Sequence, residues 1–127
     1  MSRIVTLCTV VAVVLFGVSQ AFLVAADEKQ SIKTIMEKSH KGKESPVNSV
    51  IAGKADEKLL KEFLADYQFM STQKPPVGDE AAWKKKCDAL VASTQGLIAK
   101  KAEAVEAFKT AVNCKACHTD HKPKKEK

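Results

Sequence analysis

From Asp56 to Cys117, apolar residues return at steps of three and four, and no stretch of the chain alternates with a period of two. The first spacing lines one face of an α-helix; the second is what a half-buried strand needs. An all-α fold is therefore expected. A helix starting near Asp56 carries Leu59, Leu60, Phe63, Tyr67 and Met70 inward. Lys74-Pro75-Pro76-Val77-Gly78 breaks the pattern, since proline and glycine both end helices. Asp79 is placed to cap the next helix, whose inward stripe is Trp83, Cys87, Leu90, Thr94 and Leu97, with Gly96 near its end. A last helix over residues 102–117 turns Val105, Phe108 and Val112 inward.

Upstream, Ile32, Ile35, Met36, Ser39 and His40 share one stripe of a helix expected over residues 30–41. Gly42 and the polar residues after it interrupt that helix. Ser45-Pro46 then pairs a capping residue with a proline at the first helical position. A short turn with Val47, Val50 and Ile51 follows and stops at Gly53. Four helices with short links predict an antiparallel four-helix bundle.

The beginning of the chain reads differently. Arg3 precedes an apolar run from Ile4 to Val18, and Val24-Ala25-Ala26 puts small residues just before Asp27 and Glu28. Basic start, apolar centre and small-residue site are the order of a secretory signal. Residues 1–26 are expected to be removed, taking Cys8 with them and leaving no stable membrane span. A retained anchor is the alternative, because counting on to Ala26 nearly reaches the roughly 20 apolar residues a spanning helix wants. Residues 27–119 form the helical domain, and 120–127 form a lysine-rich tail expected to be disordered. That domain has few aromatics (Phe63, Phe69, Phe108, Tyr67 and Trp83), and a small domain gains from an extra staple or a bound group.

The 127 residues carry a formal net charge of +6. Arg3 is the only arginine, so the excess left after signal removal is all lysine. Without arginine forks for phosphate and guanine, nucleic acid is not an expected partner. A solvated basic surface is the plain reading. A face that docks acidic redox partner proteins or anionic headgroups is the functional one.

Cys114-Lys115-Ala116-Cys117-His118 carries the chemistry. Two thiols three positions apart on a helical turn can each add to a vinyl group of one porphyrin. The histidine after the second thiol then supplies the proximal iron ligand. The spacing thus predicts one covalent haem c, held by Cys114 and Cys117 and ligated by His118. Such haems mature in an exported compartment, which agrees with the signal. Three other readings compete. A thioredoxin-type redox pair opens a helix after a strand, whereas these cysteines are expected to close one. Zinc would take Cys114, Cys117 and His121 or Cys87, but zinc sites usually need a second ligand pair. A Cys114–Cys117 disulfide is strained at that separation on a helix. Cys87 is read as a core thiol and His121 as a solvated side chain.

A haem motif ending the last of four helices, with Met36 in the first helix and the Pro75-Pro76-Val77-Gly78 loop, resembles the class II c-type cytochromes, meaning cytochrome c′ and its low-spin relatives. The resemblance implies a haem bound near the C-terminal end of the last helix. It also implies a ligand methionine in the first helix in low-spin members. Geometry points the same way: in an antiparallel bundle the end of the fourth helix lies beside the start of the first. Met36 is nearer that start than His40 by four residues, roughly 6 Å of helix rise. Met36 is therefore the expected distal ligand, with His40, on the same face and the stronger donor, as the alternative.

The expected function is single-electron transfer between redox partners by a monohaem cytochrome, periplasmic or otherwise exported. The alternative is a gas-binding cytochrome c′-like protein with an open distal site. A purely structural or zinc-stabilised helical protein is a third class. No acid/base pair, nucleophile constellation or phosphate loop is visible, so no enzyme is expected. The bundle admits a homodimer.

Overall fold

The computed structural model describes residues 30–125. The expected signal segment, its cleavage site and Cys8 lie outside them, as do the last two residues of the tail. The described chain is all-helical, with its helices packed into one core. Among these residues no helix is long and apolar enough to cross a membrane.

Helix α1, Ile32–Ile35, starts at Ser31, whose side chain accepts the Thr34 amide. It passes without interruption into a π-helical turn, Met36–His40. The expected helix over 30–41 is therefore present but widened in its second half. Such turns are rare and are found mostly where function constrains the backbone. Helix α2, Pro46–Ile51, has the expected proline in its first turn and buries Val47 and Val50.

Helix α3, Glu57–Thr72, starts where expected and helix α4, Glu80–Ile98, is capped by Asp79 as read; at both, the Asp56 and Asp79 carboxylates accept amides of their own first turns. Their packing on each other is the most extensive in the molecule. Phe63, Tyr67 and Met70 of α3 meet Trp83, Cys87 and Leu90 of α4 in the core. The Trp83 indole N–H donates to the Met70 and Gln73 carbonyls, at 3.1 and 2.9 Å, and so satisfies the end of α3. Lys100 stops α4 in the left-handed region at φ 56°, with the Lys101 amide donating back to Gly96 and the Lys100 amide to Leu97.

The fourth helix differs from expectation. It is two helices, α5 (Ala104–Ala111) and α6 (Cys114–His121), separated at Val112 and Asn113. Asn113 has an extended backbone, and its side chain accepts the Ala116 amide at 3.0 Å, which ends one helix and starts another. Because α5 starts at Ala104, the buried position at its head is Ala104 and not Val105, which is only partly covered. Ala104 fits because it faces Gly96: a Cβ added there would lie 3.2 Å from that of Ala104. Phe108 is fully buried, as expected, and stands edge-on to Phe63 with centroids 6.5 Å apart.

The tail also differs. His121 closes α6 and is 3% exposed, so the reading of it as a solvated residue in a disordered segment is corrected. The Trp83 ring and the Val77–Gly78 loop supply the cover that its polar neighbours in sequence do not reveal.

Candidate haem-attachment site

Cys114 is the first residue of α6 and is exposed, with its thiol 3.4 Å from the Val112 carbonyl. Cys117, one turn on, is half-buried against the core, and burial raises its thiol above the usual range. His118 is exposed beside it. The motif therefore opens a helix where the sequence reading had it close one. That removes one ground for setting aside a redox pair. The other stands: the segment before α6 is a helix, and no strand is present among the described residues.

Cys114, Cys117 and Cys87 are all free thiols. Cys87 is 1% exposed, and burial pushes its thiol up to about 12, which makes it a core thiol as read. No group of three or more Cys, His, Asp or Glu side chains converges on a common point among the described residues. His121 instead faces the Val77 carbonyl at 3.1 Å.

The two distal candidates lie on the π-helical turn. Met36 is partly buried and packs against the core cluster. His40, also partly buried, lies among aromatic rings, edge-on to Phe63 with centroids 5.8 Å apart and tilted against Tyr67 at the same separation. Its Nε2 is 3.3 Å from the Tyr67 hydroxyl, a long contact. Burial, and secondarily the charge of His118, lowers the His40 pKa from 6.5 to about 4. Burial also raises that of Tyr67, with smaller contributions from Asp66 and Cys114. His40, Tyr67, Cys114 and His118 thus share one electrostatic neighbourhood, assembled from the π-helical turn, α3 and α6.

The donor set fits a c-type haem. Two unpaired thiols and an imidazole lie within the first five residues of α6, and the charge of His118 reaches a second imidazole, His40. Sequence reasoning missed Asn113 as the cap that orients the motif, and Tyr67 as the polar neighbour of His40. The asparagine directly before the first cysteine was the available signal for α6.

His40 gives the haem-free chain a testable pH response. The folded chain holds the imidazole neutral down to about pH 4, whereas the unfolded chain protonates it near 6.5. Between these values the unfolded state binds more protons, so stability is complete above the upper value and falls as pH drops toward the lower one. The loss is at most on the order of 3 kcal/mol. Urea midpoints of the haem-free protein should fall from pH 7 to pH 4 by more than those of His40→Gln. Parallel curves would show that burial of this imidazole is not linked to folding.

Comparison of the chain with family models, with curated proteins and with solved structures gives no match in any of the three.

Proposed function

We propose that the chain is an exported monohaem c-type cytochrome that passes single electrons between protein partners, with the architecture of the class II cytochromes. The observation that carries this reading is the state of α6. Both thiols of the Cys-X-X-Cys-His run are free and one turn apart, on a capped helix, with Cys114 and His118 exposed and Cys117 against the core. In this reading α1 with its π-helical turn, α3, α4 and α5–α6 are the four arms of an antiparallel bundle.

Bound haem would supply a one-electron couple at its iron. The chain's own part is to hold and shield it. Cys114 and Cys117 would fix the porphyrin edge, and His118 would be the proximal ligand. Phe63, Tyr67 and Phe108 would keep water from one side. The exposed lysines, Lys115 and Lys122 on and after α6 among them, suit a partner with an acidic docking face.

For the second axial position the sequence argument names Met36. A second consideration favours His40: imidazole is the stronger iron donor, and the charge of His118 reaches it. Ligation through Nε2 requires that nitrogen to leave the Tyr67 hydroxyl, which the long contact makes inexpensive. Two imidazoles would set a lower potential than an imidazole with a thioether.

The test is the spectrum of the purified exported protein. Covalent haem in the low-spin state is expected, without the weak near-infrared sulfur-to-iron band. Low-spin character should vanish in His40→Ala and persist in Met36→Ala. A sulfur band lost only in Met36→Ala returns the ligand to Met36. High-spin iron in the unmutated protein moves the function to gas binding, and a chain that denatures free of haem refutes the proposal as a whole.

A further inference from the structure

Helix α6 has only eight residues, too few to hold its shape alone in water. Its first turn leans on the core through Cys117 alone, while Cys114, Lys115, Ala116 and His118 are exposed. Beyond that apolar contact the helix is held by contacts of three kinds, the first of which grips both its turns. The Lys86 ammonium, on α4, donates to the Ala116 carbonyl at 2.9 Å and pairs with the Asp120 carboxylate at 2.6 Å. The His121 Nδ1–H donates to the Val77 carbonyl at 3.1 Å, and the imidazole stands edge-on to Trp83 with centroids 5.3 Å apart.

The third contact is steric. Gly78 passes so close under the end of α6 that an added Cβ would lie 2.9 Å from His121 Nδ1, and nearer still to the Asp120 carbonyl oxygen. Gly78 also has φ +90°, a conformation that side chains with a Cβ rarely adopt. The Pro75–Gly78 loop is therefore built to receive this helix end. Because Val77 O can only accept, the proton sits on Nδ1, and Nε2 is buried with no protein partner.

We propose that His121 is a positioning residue for His118: by docking onto Val77, Gly78 and Trp83 it fixes the rotation of α6, and with it the direction from which His118 approaches the iron. This role rests on the reading of α6 as the haem-attachment helix. His118 lies one turn before His121 on the same short helix, so freeing His121 leaves that helix held only by Cys117 and by the Lys86 contacts, and lets its end shift and carry the proximal imidazole with it. Neither thioether is touched by the change.

The experiment compares the haem-loaded protein with His121→Ala, His121→Asn and Gly78→Ala. Asparagine keeps an N–H donor at the position of Nδ1. Gly78→Ala disturbs the docking from the opposite side without altering α6. Covalent haem should remain in all four proteins by denatured mass. His121→Ala and Gly78→Ala should each show a displaced midpoint potential and more than one electron paramagnetic resonance signal in place of one. His121→Asn should return the potential toward that of the unmutated protein.

A His121→Ala holoprotein with unchanged potential and a single unchanged signal overturns the positioning role and leaves the haem reading intact. If His121→Ala does not accumulate, Gly78→Ala decides, and unchanged spectra there overturn the role equally. Absence of haem from the unmutated protein overturns the reading beneath it.

Discussion

Cys114→Ala combined with Cys117→Ala is expected to yield a chain with no covalent haem, whereas Cys87→Ala should keep the full load. The three thiols differ physically. Cys114 is exposed at the head of α6, Cys117 lies one turn on at the core's edge, and Cys87 is sealed on α4 with its thiol pushed up to about 12. A thiol that does not ionise near neutral pH is a poor nucleophile and a poor competitor for any electrophile. Denatured intact mass decides the matter without relying on fold or activity. Haem retained by the double variant would move the attachment elsewhere and sink the assignment of α6.

The second large effect is expected at Phe108. It is fully buried and meets Phe63 and Tyr67 with ring centroids 6.5 and 6.3 Å apart. Truncating a buried phenylalanine costs about 3–5 kcal/mol, against a total stability of roughly 5–15 kcal/mol for a domain. Phe108→Ala should therefore lower the denaturation midpoint severely or prevent folding, and Phe108→Leu should do so far less. The damage should extend to α6, because Phe108 anchors α5, from which the chain passes through Asn113 directly into the motif helix. A Phe108→Ala protein within about 1 kcal/mol of the original would mean that this aromatic centre is not the core of the fold.

The Asp79 cap, the helix start at Asp56, the Pro75–Gly78 break and the stripe from Trp83 to Thr94 were legible because each is local. A carboxylate reaching its own helix's amides, or a proline lacking one, acts within a few residues. Two features were not. Asn113 falls inside the three- and four-residue apolar spacing from Val105 to Cys117, so periodicity carried the expected helix straight through it; the competing side-chain hydrogen bond ends α5 there. His121 stands among lysines and looks solvated, yet its cover comes from Val77 and Trp83, far away in the chain. The i+4 step from Cys117 to His121, which puts both on one helix face, was the trace the sequence held. Cys114, Cys117 and His118 were legible as a motif, but the choice between Met36 and His40 depends on where a π-helical turn directs two side chains, which spacing does not encode.

The packing order has a consequence for how the chain assembles. The heaviest contacts join neighbours in sequence, α3 with α4 and α4 with α5. Their closure spans short loops, and helical domains dominated by such contacts fold in roughly microseconds to milliseconds. The docking of His121 on Val77 is of another kind, since it brings together positions 44 residues apart. Its loop-closure entropy is met only after α3, α4 and α5 have formed a surface to close upon. The segment from Asn113 to His121 should accordingly settle last, so that both thiols stay accessible while the rest of the molecule is already in place.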